Sequence, residues 1–171
     1  MFYKEFKGVA YEAYRLMKQD LIDMAKKELG LSEDDLVVRQ LRPEDVIVSG
    51  TPQWSKSTDA TGGWATGGTG WVNLTNTFSM ADNRFVGIYG ISDRSTNITQ
   101  LRIDRSGSRT RHWHIQELIP NCENNIMFVD DPVIIPQNEL LTIQGYSLAS
   151  ATEYLRLIGL VVERKGLLVS P

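Results

Sequence analysis

Two alternations of apolar and polar positions near the C-terminus organise the reading of this chain. In the run 139–146, Leu141, Ile143 and Gly145 fall on one side of an extended segment, with Leu140, Thr142 and Gln144 on the other. In the run 153–163, Leu155, Leu157, Gly159 and Val161 alternate with Tyr154, Arg156, Ile158, Leu160 and Val162. A period of two among large and β-branched residues predicts strands half-buried in a sheet. From Leu157 to Val162 both sides are apolar, which predicts a central strand covered on both faces. The small and polar residues 147–152 suit a hairpin loop, so the two runs are expected to pair antiparallel.

The N-terminal pattern has a different period. Phe6, Val9, Ala10, Ala13, Met17, Leu21, Met24 and Ala25 recur at spacings of three and four, which predicts one helix over residues 2–29 with a single apolar stripe. Gly30 is its expected stop. That stripe must be buried on something. It either docks on the chain's own body, or serves as an arm that packs on a neighbouring subunit, with Tyr3, Phe6, Tyr14 and Met17 in the contact. Aromatics such as Tyr3, Tyr11 and Tyr14 are enriched at protein interfaces and favour a partner.

Between these ends lie short extended patterns: 36–41, 46–49, 71–75, 84–91, 98–103, 111–115, 126–129 and 133–135. In 84–91, Phe85, Gly87, Tyr89 and Ile91 are expected on one face. The separators carry turn chemistry, among them residues 81–83, Ser106-Gly107, Asp130-Asp131-Pro132 and 136–138. About eight short strands with no helix between them predict an antiparallel sandwich or barrel. Residues 53–71 differ: they are dense in Gly, Ser and Thr, hold Trp54, Trp64 and Trp71, and read as a long loop. Its tryptophans either cover an end of the body or form a ligand face for sugar or protein. The expected organisation is an amphipathic helix over 1–30 and a β-sandwich domain over 31–171.

Composition narrows the classes. The 171 residues suffice for one domain with a sizeable core, and 42% apolar with 23% charged residues is ordinary for a soluble globular protein. A net charge of −3 argues against nucleic-acid binding, which rests on clustered basic surface. A lone cysteine, Cys122, excludes an intrachain disulfide framework. No run reaches transmembrane length, and the N-terminus carries Lys4, Glu5 and Lys7 with no apolar signal core, so assembly in a cytoplasm is expected.

Candidate chemistry is sparse. His112 and His114, two apart, share one face of a strand and could hold zinc with a third ligand, but nothing else has metal spacing. The glycine pairs 62–63 and 67–68 lack the Gly-Lys-Ser/Thr ending of a phosphate loop. Asp130-Asp131-Pro132 could bind a cation, but an acidic pair before proline is more often a turn. Between Arg84 and Arg111 six arginines face only Asp93 and Asp104, a local basic patch in which Arg105 and Arg109 flank a hairpin tip suited to an acidic neighbour. Asn73-Leu-Thr75 and Asn97-Ile-Thr99 match glycosylation acceptors without a secretion signal. No catalytic, metal or cofactor site is expected.

The strand at Arg84–Gly90, the Asp130-Asp131-Pro132 segment into Val133–Pro136 and the terminal strand at 154–164 together resemble viral single jelly-roll capsid and capsid-decorating (cementing) proteins. The resemblance spans roughly residues 37–164 and implies an all-β, jelly-roll-like sandwich with an N-terminal helical arm. It also implies a non-enzymatic structural role in a virion, as a homo-oligomer among other capsid proteins. An arm of this kind gains about 25 cal/mol per Å² of apolar area covered by a second chain. Two other readings stay open: a carbohydrate-binding sandwich using Trp54, Trp64 and Trp71, and a cupin-like metalloenzyme using His112 and His114.

Overall fold

The computed structural model describes residues 2–3, 5–42, 45, 47–48, 51–52, 64–74, 77–93, 97–106, 108–116, 126–153 and 155–166. Strand β1 (Phe2–Tyr3) precedes helix α1 (Gly8–Leu29), and one 3-10 turn at Glu33–Asp35 leads into β2 (Leu36–Gln40). The short strands β3 (Ile47–Val48), β4 (Thr51–Pro52) and β5 (Trp64–Gly67) follow, then β6 (Gly70–Asn73), β7 (Phe78–Ser79) and β8 (Arg84–Asp93). The chain continues through β9 (Ile98–Arg105), β10 (Ser108–His114), β11 (Ile126–Ile135), β12 (Leu140–Ser147), β13 (Ser150–Glu153) and β14 (Leu155–Arg164).

One sheet runs β1-β11-β8-β14-β2 and the other β10-β9-β12-β6, with β7 also on β12. Every pairing is antiparallel. Apart from the β9–β10 hairpin, each successive long strand crosses to the opposite sheet, which is the jelly-roll arrangement of an all-β sandwich. The expected hairpin of β12 and β14 is therefore wrong. Each is internal to its own sheet, β12 between β9 and β6 and β14 between β8 and β2. Residues 150–153 form β13, which pairs with β5 instead of closing a turn.

The sandwich interior is filled by the inward residues of both sheets. Val86, Ile88 and Ile91 of β8 and Leu155, Leu157 and Val161 of β14 face Leu101 and Ile103 of β9, Trp113 of β10, and Leu141 and Ile143 of β12. The other face of the first sheet carries Phe85, Tyr89, Leu160 and Val162, and α1 covers them with Met17, Leu21, Ile22 and Ala25. That is why the Leu157–Val162 run is apolar on both sides. The helix docks on its own domain as a third layer. Gly87 lets it approach: a Cβ there would stand 2.5 Å from Met17 Sδ and 2.7 Å from Leu21 Cδ1. Gly30 ends the helix in the left-handed region at φ 64°, with Lys26 and Lys27 in the last turn where the helix dipole favours cations.

Three sequence expectations fail for local reasons. Val9, placed on the buried stripe, is 55% exposed because the stripe turns away from it. Ile91 faces the sandwich interior, opposite to Phe85, because Gly159 pairs with Ile88 and Ile158 with Gly90, leaving Tyr89 as a bulge residue that shifts the alternation. Asp130-Asp131-Pro132 is no chain reversal. It lies within β11, where the five steps from Phe128 to Val133 match only two along β8 and the ladder is interrupted.

One end of the first sheet is closed by four charges. Arg39 of β2 donates from Nε to Glu163 Oε1 at 2.8 Å and from Nη2 to Asp45 Oδ1 at 2.6 Å. Arg84 of β8 donates to Glu163 Oε2 at 3.1 Å, while Asp45 also accepts from the Arg42 backbone N–H at 2.7 Å. The hydrogen bonds to Asp45 outweigh the cost of burial and push the Arg39 pKa above its usual range, with Glu163 adding to the effect.

Candidate functional site

Among the described residues two outer surfaces stand out once the interior is packed. The first is the outer face of the second sheet, on which no described element packs. Alternation sends Leu101, Ile103 and Trp113 inward, so Gln100, Arg102 and Asp104 of β9 and His112 and His114 of β10 point out. Register then aligns His112, Arg102, Gln144 and Asn73 in one row across four strands, and His114, Gln100, Tyr146 and Trp71 in the next. Along the first row, Arg102 Nε donates to Gln144 Oε1 and Gln144 Nε2 donates to Asn73 Oδ1, each at 2.6 Å. The Arg102 guanidinium also lies 3.9 Å from the centre of the Trp71 ring, a cation–π contact. Trp71 meets Tyr146 and His112 edge-on, and His112 stacks on His114 at 4.8 Å. His112 Nε2 donates to Gln100 Oε1 at 2.7 Å. These contacts fix the side chains as a flat, pre-ordered plate.

Towards one end of that plate the next row holds Asp104, paired with Thr142, and Thr77, whose hydroxyl lies 2.8 Å from that of Thr142. Here the face dips into a groove of about 380 Å³. Asp104 Oδ1 is buried without a hydrogen-bond partner among the described residues.

The second surface lies where α1 begins. Phe6 meets Tyr11, Tyr14, Tyr89 and Phe128 at centroid distances of 4.9–5.6 Å, and Tyr14 lies 4.9 Å from Tyr89. Burial first, then proximity to Tyr14, raises the Tyr89 pKa. Tyr11 remains 50% exposed, and the helix also leaves Val9 and Leu16 more than half exposed.

The proposed site residues are therefore distributed unevenly. Phe6 and Tyr14 meet in the aromatic cluster, while Met17 is buried between helix and sheet. Tyr3 is described as a backbone partner of Phe128, and Arg109 as one of Asp104. Arg105 binds within the chain: Nη1 donates to the Ile134 carbonyl at 3.0 Å and Nη2 to Glu139 at 3.3 Å, tying β9 to β11 across the sandwich. The Ser106 hydroxyl, with Arg105 beside it, holds the Glu139 carboxyl below its usual pKa.

The tryptophan loop is broken by structure. Trp54 and Cys122 lie outside the described residues, whereas Trp64 begins β5 and Trp71 belongs to β6. Trp71 joins the plate through Arg102, Tyr146 and His112. The cupin-like arrangement needs its imidazoles inside the sandwich; His112 and His114 stand on the outside, with Trp113 filling the interior between them. Among the described residues no group of three or more His, Cys, Asp or Glu converges as a metal site, and no helix is long and apolar enough to cross a membrane.

Sequence reasoning missed Asp104, Thr142, Thr77, Asn73 and Gln144 as a group. Their outward positions follow from alternation along each strand. Their adjacency needs the β6-β12-β9 order, which the expected β12–β14 hairpin concealed. No family model, curated protein or solved structure matches this chain.

Proposed function

We propose that this chain is a non-enzymatic structural protein of a virus particle, a capsid or capsid-decorating subunit that acts through contacts with other copies of itself and with other capsid proteins. The aromatic cluster at the start of α1 carries this reading. Its helix is already docked on its own sheet, yet Tyr11 stays half exposed on a patch of rings that a solitary chain has no need to present. Aromatic side chains with little rotamer entropy are the residues from which subunit interfaces draw most of their energy. The jelly-roll sandwich supports the reading as a fold whose filled interior leaves its outer surfaces to do the work, although that fold also carries lectins and enzymes. The reading needs no cofactor and no sequence-specific nucleic-acid contact, and it places the protein in the virion after assembly in the host cytoplasm.

Sedimentation velocity over a wide concentration range tests the patch. The full chain is expected to form a discrete oligomer, and Tyr11→Glu to shift it to a monomer that still unfolds cooperatively, with a melting temperature that no longer depends on protein concentration. A wild-type chain that stays monomeric at the highest concentration, or a Tyr11→Glu variant that assembles as the wild type does, would remove the patch from the account.

A further inference from the structure

We infer that the outer edge of β2 pairs antiparallel with the same edge of a second copy of this chain, about a two-fold axis at Val38, so that the first sheet continues from one subunit into the next. The inference rests on the assembly reading above and names a second contact for it. β2 ends the first sheet, with β14 on one side and no described strand on the other. Its register with β14 runs without a shift from Leu36 to Gln40. Just beyond the two ends of that ladder, Lys165 N–H donates to the Asp35 carbonyl and Leu41 N–H to the Gly159 carbonyl. The odd-numbered residues of β2 therefore turn their backbone groups towards β14, and Leu36, Val38 and Gln40 turn theirs out from the edge.

Two of the outward groups are already engaged. Leu36 N–H donates to the Glu33 carbonyl in the 3-10 turn, and the Gln40 carbonyl accepts from Arg39 Nη1 at 3.3 Å. The Leu36 carbonyl, both groups of Val38 and the Gln40 N–H have no bond to a described residue. A two-fold axis at Val38 sets Val38 against the second copy's Val38, and Leu36 against its Gln40. The two valines exchange both their bonds, and each Gln40 N–H meets the other copy's Leu36 carbonyl. A foreign strand would present a carbonyl to the engaged Leu36 N–H and leave it without a donor. In the self-pairing that carbonyl belongs to Gln40 and is already satisfied by Arg39. The edge complements itself.

The side chains agree. Val38, at 36% exposure, meets its twin as a β-branched cross-strand pair, and no like charges stand opposite each other. Arg39, the one charged residue of the strand, is turned to Asp45 and Glu163 and does not guard the edge. The second sheet's edge at β10 differs, because a register shift between Arg109 and Arg111 interrupts it. The β2 contact is small, and a few hydrogen bonds with one valine pair fall short of holding two free chains together. It forms where the aromatic patch has already raised the local concentration of copies.

Disulfide trapping of Val38→Cys in the full chain tests the pairing. Residues opposed in this way stand about 5.5 Å apart at Cα, within the span of a disulfide. Sedimentation of the reduced variant first shows whether the oligomer forms. On mild oxidation, a disulfide joining two copies at Val38→Cys is expected to form at least about tenfold faster than one at Leu148→Cys, a 51% exposed position past β12. Mass mapping of the linked peptides separates it from any disulfide through Cys122. Adding Tyr11→Glu should abolish the excess. An oligomer in which Val38→Cys is trapped no faster than Leu148→Cys would overturn the inference and leave the aromatic patch standing. Absence of the oligomer before oxidation would remove the assembly reading, and this inference with it.

Discussion

Glu163→Ala is expected to destabilise the protein by about 3–5 kcal/mol, seen as a fall in the urea midpoint with the slope unchanged. Glu163 is 2% exposed and accepts from both Arg39 and Arg84. Arg39, at 13% side-chain exposure, and Arg84, at 22%, would then share the Asp45 carboxylate, with long contacts to the Gln40 and Asp45 carbonyls beside it. The cost comes from leaving guanidinium groups in a poorly hydrated place with too few acceptors, more than from the attraction lost. For a chain of this length it corresponds to a drop of about 6–20 °C in melting temperature. The exposed Arg15–Glu12 pair is the control: Arg15→Ala removes a 2.7 Å ion pair and should leave the midpoint unchanged. An equal response at the two sites would show that the four-charge cluster does not close the end of the sheet.

Leu21→Ala is expected to cost about 2–5 kcal/mol, the range for a large apolar side chain removed from a packed core. Leu21 is fully buried and sits over Gly87, in the space that a Cβ would occupy. In the Tyr11→Glu background, which removes assembly through the aromatic patch, the loss should be the same at every protein concentration, because the helix covers Phe85, Tyr89, Leu160 and Val162 of its own chain. A helix exchanged between subunits would give a midpoint that rises with concentration even there. Urea unfolding of Leu21→Ala in that background at two widely separated concentrations separates these cases. A small effect, or one that depends on concentration, would contradict docking in cis.

Much of the sandwich was legible because its strands obey a strict alternation. Leu141 and Ile143 on one side and Thr142 and Gln144 on the other are sorted by period alone, as are the helix positions Met17, Leu21 and Ala25. Pairing was not legible. A jelly roll sends consecutive strands to opposite sheets, so β12 and β14 follow each other in sequence without touching as partners. Nothing local in residues 147–152 distinguishes a crossover that passes through β13 from a hairpin. The tryptophan segment failed for a related reason. Its Gly and Thr content signals a loop, yet β5 and β6 form because β13 and β12 supply partners far along the chain. Glu163, Arg39, Asp45 and Arg84 are likewise scattered in sequence and meet only through strand order. The aromatic residues at the helix start were visible as an apolar excess; the Asp104 groove, which needs three strands in register, was not.

The central claim, that the chain is a subunit of a virus particle, is tested most directly by labelling. An antibody against the purified chain, with a gold-conjugated second antibody, is applied to intact particles recovered from the native source and viewed by electron microscopy. Gold at regular positions over the particle shell, lost when the antibody is first absorbed with the purified chain, is the predicted result. Unlabelled particles that also contain none of the chain when dissociated, with all of it in the soluble cell fraction, would contradict the claim.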